Sequence, residues 1–151
     1  MSSSSTLKLN TGASFPALGF GTYSGNPGDT HKATLHALHT GFRHIDTAAG
    51  YRNENEVGAA IADFLKENKN VKREDLFVTT KISDTLHAPD DVEWCLNESL
   101  KKLGLEYVDL ALVHWPIALV KEDAGDNNSG FKKDGDGEVS ASGFLFSLLW
   151  L

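Results

Sequence analysis

The chain has 151 residues, 40% of them hydrophobic and 23% charged, which suits a single soluble domain or part of one. A net charge of −7 and a sequence pI near 5.3 give no electrostatic footprint for nucleic acid or anionic lipid, and no apolar run reaches the 18 residues a membrane span needs. One cysteine, Cys95, excludes an internal disulfide, and the N-terminal MSSSSTLK has no apolar core of a secretory signal, so the expected location is cytoplasmic.

In chain order, Leu7–Leu9 and Ala13–Ala17 around the turn Asn10-Thr11-Gly12 read as an N-terminal hairpin. Leu18–Thr22 is a short strand with two glycines, followed by a Gly/Asn/Pro loop. A first helix is expected over Thr30–His39, stopped by Gly41. Arg43–Asp46 is a short strand, and a second helix over Asn53–Asn68 puts Val57, Ile61, Phe64 and Leu65 on one stripe. Leu76–Lys81 is a β-branched strand. A third helix begins near Asp90 or Asp91, carries Val92, Leu96, Leu100 and Leu103 on its apolar stripe, and ends at Gly104. Val108–Trp115 is a long apolar strand closed by Pro116. Strands alternating with helices of this length predict βαβ crossovers and a parallel sheet.

The pattern changes near residue 120. Glu122–Gly137 holds a single large apolar residue, Phe131, and reads as a disordered loop. The segment after it ends in the apolar octamer Phe144–Leu151, an aggregation liability if exposed. The expected division is a patterned domain over 7–120 and an atypical tail over 121–151.

Asp46, Lys81 and His114 each fall at the C-terminal end of a predicted strand, 35 and 33 residues apart. A βα unit of a TIM barrel takes about 31 residues, and such barrels build their active sites at that end of the strands. One polar residue where a strand meets solvent is unremarkable; an Asp, a Lys and a His in consecutive units are not. A lysine ending a buried strand needs a counter-charge, and Asp46 is one unit away. Tyr51 lies in the loop after the Asp46 strand. A phenol titrates near pH 10, too high for efficient proton donation at neutrality, and a neighbouring ammonium lowers that value. Tyr51 with Lys81 and Asp46 therefore forms a candidate general acid, and His114 can hydrogen-bond a polar substrate oxygen. No Ser or Cys accompanies the histidine as an activated nucleophile.

Other features have plainer readings. His44 and Asp46 have an H-x-D spacing, but no second histidine cluster follows, so no metal site is expected and a metal-dependent barrel hydrolase is disfavoured. His31, His36, His39 and His87 read as solvated or helix-surface residues, and Cys95 as part of the third helix's core stripe. Gly19-x-Gly21 lacks the third glycine of a dinucleotide fingerprint.

The run Gly41-Phe42-Arg43-His44-Ile45-Asp46-Thr47-Ala48, with Tyr51, Asn53-Glu54 and Val57-Gly58, resembles the first signature of the aldo-keto reductase family. Thr80-Lys81, Leu112-Val113-His114-Trp115-Pro116 and Leu18-Gly19-Phe20-Gly21-Thr22-Tyr23 are similar to further family motifs, and the resemblance covers about residues 7–120. It implies a (β/α)8 TIM-barrel fold, present here as an incomplete half barrel of about four parallel strands and three helices behind an N-terminal hairpin. It implies reduction of aldehydes or ketones with NADPH, Tyr51 as proton donor, Lys81 with Asp46 as its tuning pair, and His114 as the group that orients the carbonyl. Thr22, Tyr23 and Asp46 would lie along the cofactor, and Tyr23 and Trp115 would wall the substrate pocket. Ser83 stands where many relatives carry a tryptophan. The family's second and third signatures, which hold most of the cofactor, have no counterpart in this sequence. The partner expected is a small carbonyl compound. Full-length members are often monomeric, which leaves the oligomeric state of this chain open. The alternative reading is an inactive fragment or an interaction partner lacking most of the cofactor site.

Overall fold

The structure is a computed structural model and describes residues 5–23, 26 and 28–118. The expected tail, 121–151, lies outside the described residues.

A two-stranded antiparallel hairpin, β1 (Thr6–Lys8) and β2 (Ser14–Pro16), precedes a four-stranded parallel sheet. The sheet is built from β3 (Phe20–Gly21), β4 (His44–Asp46), β5 (Phe77–Ile82) and β6 (Leu110–Val113), in that spatial order. The helices α1 (Asp29–His39), α2 (Glu54–Glu67) and α3 (Pro89–Leu103) are the three crossovers, so the expected strand–helix alternation is realised. Short 3₁₀ turns at Ala49–Tyr51 and Arg73–Asp75 are additions the periodicity does not reveal.

Parallel register decides which residues share a face. Gly21, Asp46, Thr79 and Leu110 align on one side, and Lys81 pairs with Leu112 on the same side. The opposite side is covered by the helices. There Leu38, Ile45, Val57, Ile61, Phe64, Leu76, Val78 and Leu103 form the main core, which Phe20 flanks. Complete burial of a side chain such as Ile61 or Phe64 stabilises the fold by about 2 kcal/mol.

The α3 face that is most deeply buried is Cys95–Ser99–Leu103, with Val92, Leu96 and Leu100 only half buried. The helix starts at Pro89, one residue ahead of the expected Asp90 or Asp91, because proline suits the first helical turn. The α1 N-terminus is capped by another helix: the N–H groups of Gly28 and His31 donate to the Glu56 carboxylate of α2, at 3.2 and 3.3 Å. His31 and His39 extend the same seam through 3.0 Å hydrogen bonds to Asp63 and Glu67. They are surface residues as expected, but partnered ones. His87 departs further from expectation: its Nε2 is enclosed without a hydrogen-bond partner.

The hairpin lies against the N-terminal end of the sheet. Phe15 packs edge-on against His44 at 4.8 Å and Phe77 at 5.0 Å between ring centroids. The C-terminal end of the strands is left open for the side chains that follow. The predicted strand Val108–Trp115 is shorter than expected, and three of the four residues of β6 are exposed. Its register with β5 supports four residues, and β6 has no strand on its other edge among the described residues.

Candidate active site

β4 delivers Asp46 and β5 delivers Lys81 to the same open end of the sheet. Immediately after β4 the chain turns through Ala49–Tyr51, with the Tyr51 N–H donating to Ala48 O at 3.0 Å. The turn closes at Arg52, whose φ of 57° makes it the one left-handed non-glycine residue among the described residues. That conformation is uncommon for a side chain of this length and marks a constrained turn.

The Lys81 ammonium meets three oxygens. Asp46 Oδ1 is 2.5 Å away, Thr47 O 3.0 Å and the Tyr51 hydroxyl 3.3 Å. An ammonium has three donors, and this arrangement provides an acceptor for each. The Lys81 side chain is 14% exposed and that of Asp46 32%, so the pair is screened from bulk water on one side and open on the other.

His114 follows β6, and its N–H donates to Ile82 O at 3.1 Å. Its ring lies edge-on to Tyr51, 5.5 Å between centroids, and stacks nearly parallel on Trp115. Burial, and next the Lys81 charge, push the His114 imidazole below its ordinary value of 6.5, so it is neutral at pH 7. The Tyr23 ring also lies edge-on to Tyr51, at 5.2 Å, and is largely exposed. The structure thus brings Asp46, Tyr51, Lys81 and His114 into one cluster flanked by Tyr23 and Trp115.

Thr22 is buried. Its N–H and its hydroxyl both donate to Asp46 O, at 2.9 and 3.1 Å, so it braces the β3–β4 junction. Ser83 is buried, and its hydroxyl hydrogen-bonds Asp84 and Thr85. His44 is at the far end of the sheet, bonded through Nε2 to Thr79 Oγ1 at 3.0 Å; among the described residues no three potential metal ligands cluster. Cys95 is buried, and burial pushes its thiol up, away from reactivity.

Two buried polar residues escaped the sequence reading of roles. Asn53 Nδ2 donates to Thr22 O and to Thr30 Oγ1. Glu54 accepts from Thr80 Oγ1 at 2.7 Å and Ser99 Oγ at 3.1 Å. A signal existed: Glu54 falls three and seven residues before Val57 and Ile61, on the helix stripe that faces the core.

Residues 17–140 match the model of the aldo/keto reductase family. The chain is 52% identical over 120 residues to glycerol 2-dehydrogenase (NADP(+)) of Hypocrea jecorina, covering 78% of this chain and 38% of that protein. It is 44% identical over 150 residues to aldo-keto reductase family 1 member A1 of Mus musculus, covering 99% of this chain and 44% of that protein. Among solved structures, it matches the aldose reductase of Schistosoma japonicum with a TM-score of 0.80 at 38% identity, covering 92% of this chain and 44% of that one. It also matches the aldo-keto reductase of Bombyx mori in complex with NADP, with a TM-score of 0.73 at 43% identity, over 82% of this chain and 42% of that one. The chain spans less than half the length of the curated relatives it matches.

Proposed function

Because the chain belongs to the aldo/keto reductase family, we propose that its Asp46–Tyr51–Lys81–His114 cluster is the proton-delivery site for NADPH-dependent reduction of an aldehyde or ketone to an alcohol. The observation that carries this reading is the Tyr51 hydroxyl 3.3 Å from a lysine ammonium that is itself held 2.5 Å from a carboxylate.

Tyr51 gives its proton to the carbonyl oxygen as negative charge develops there. The Lys81 ammonium stabilises the charge left on the phenolate, and Asp46 with Thr47 O keeps that ammonium aimed at Tyr51. The neutral His114 ring donates a hydrogen bond that orients the carbonyl, while Tyr23 and Trp115 wall the pocket. The residues present suit the nicotinamide end of the cofactor. A side-chain carbon at Gly21 would meet nothing within 4 Å, so the end of β3 is open, with Thr22, Tyr23 and the part-exposed Asp46 carboxylate beside it. When bound, NADPH supplies the hydride.

Titrating the purified chain with NADPH and following cofactor fluorescence tests the proposal, together with carbonyl reduction by the same sample. Tyr51→Phe is expected to lower turnover about 10²–10⁴-fold, the range for loss of a general acid, with cofactor affinity unchanged. Unchanged turnover in that variant would refute Tyr51 as the acid. A second reading, in which the chain acts by associating with a complementary barrel half, is favoured by one observation: Val113 at the end of β6 and Trp115 just after it are 56% and 55% exposed. No fluorescence change at millimolar NADPH would favour it.

A further inference from the structure

Glu54 is 1% exposed at the first position of α2, three residues after Tyr51. A carboxylate at that depth is costly unless its oxygens are bonded. Its two partners are hydroxyls, Thr80 Oγ1 at 2.7 Å and Ser99 Oγ at 3.1 Å, and it forms no ion pair among the described residues. Thr80 is the residue before Lys81 on β5, with its side chain on the opposite face of the strand.

The consequence is geometric. Tyr51 and Lys81 belong to different βα units, and the contact between them is a 3.3 Å hydrogen bond to the tip of a flexible side chain. A lysine with four rotatable carbons cannot set that spacing alone. The Glu54–Thr80 bond pins the chain just after Tyr51 to the strand just before Lys81. Asn53 makes the matching connection on the other side, to Thr22 O at the end of β3. Two consecutive buried side chains thus reach in opposite directions from the Tyr51 turn to the strands that flank it.

We propose that Glu54 is a positioning residue that sets the contact between the Tyr51 hydroxyl and the Lys81 ammonium by anchoring the start of α2 to Thr80. The inference rests on the reading of Tyr51 and Lys81 given above. The test uses the full chain labelled with [ζ-¹³C]tyrosine, whose three tyrosines give three signals assigned by single Tyr→Phe variants. Tyr107, packed under the Arg73 guanidinium at 4.2 Å, reports the integrity of the fold. Lys81→Met is expected to move the Tyr51 signal, and Glu54→Ala to move it at least half of the way to the same position while the Tyr107 signal stays. Glu54→Gln keeps an acceptor for Thr80 and is expected to leave the Tyr51 signal in place. If Lys81→Met does not move the signal, the Tyr51–Lys81 contact fails and the inference with it. If Lys81→Met moves it and Glu54→Ala does not, or if Glu54→Gln moves it as far as Glu54→Ala, the positioning role alone is overturned. Should Glu54→Ala also collapse the Tyr107 signal, the milder Thr80→Val decides: displacement of the Tyr51 signal toward its Lys81→Met position supports the role, and none overturns it.

Discussion

At the scale of single residues, two histidines of one fold do different work because their surroundings differ. His114 borders the open end of the sheet beside Lys81, whereas His44 is enclosed by Phe15 and Phe77 at the hairpin end. Burial is the main cause that holds both imidazoles below 6.5, with the Asp46 charge partly opposing it at each. The folded state therefore binds these protons less readily than the unfolded chain. Their contribution to stability is complete above the unfolded value of about 6.5 and is lost as pH falls below it through the folded values. Urea unfolding at pH 7.5 and 5.5 is expected to show lower stability in acid. His44→Gln, which cannot be protonated, should shrink that difference; an undiminished difference would assign it to other groups. His44 is also tied to its place by glycine: a side-chain carbon at Gly19 would come within 2.5 Å of His44 Nδ1. Among the catalytic candidates, Lys81→Met is expected to reduce turnover as Tyr51→Phe does, since it removes the charge proposed to stabilise the phenolate. Steady-state kinetics with a saturating aldehyde would check this.

At the scale of elements, two contacts hold the crossovers in place. The first is the approach of α2 to the end of α3. A methyl group at Gly58 would lie 2.6 Å from the carbonyl carbon of Leu103, and backbone cannot move aside as a side chain can. Gly58→Ala is therefore expected to destabilise the fold by about 1–3 kcal/mol, despite alanine's better helix propensity. A midpoint in urea equal to that of the unmodified chain would contradict this packing. The second is the Arg73 cluster. Arg73 bonds Tyr107 O and Asp109 Oδ2, at 2.9 and 2.8 Å, and the same carboxylate oxygen accepts the Val78 N–H at 2.8 Å. It joins the turn before β5 to the start of β6 with both charges mostly covered. Arg73→Met is expected to cost about 1.5–3 kcal/mol, the range for hydrogen bonds to charged groups, measured by the same unfolding transition.

At the scale of the whole molecule, the four parallel strands form, among the described residues, an open sheet with β3 and β6 at its edges. An open edge presents unpaired backbone groups, and closure is what removes it. Leu112, Val113, Trp115 and Ile117 are all exposed along or just after β6. An apolar strip of this kind favours association. Sedimentation velocity is expected to show self-association of the chain that weakens in Val113→Lys with Ile117→Lys. Sedimentation that is identical with and without those substitutions would remove the strip as the cause.

Element types and their order were legible because they follow from local periodicity. The stripe Val57–Ile61–Phe64 marks α2, the β-branched run Leu76–Lys81 marks β5, and Gly41 and Gly104, at φ of 107° and 64°, stop the helices before them. The spacing of Asp46, Lys81 and His114 followed from the length of the βα unit. What a side chain meets across the fold is not local information. That Lys81 faces three oxygens, that Glu54 is buried against Thr80 and Ser99, and that His87 Nε2 is enclosed depend on residues 26 to 45 positions apart or on the packing of whole helices. The exposure of β6 is of the same kind. An apolar run predicts a strand, but its burial depends on whether another element covers it. The sequence by itself determined which residue types stand at the open ends of the strands, through repetition of one unit. Only the tertiary structure decided which of them touch, because parallel register and helix packing bring distant residues within hydrogen-bonding range.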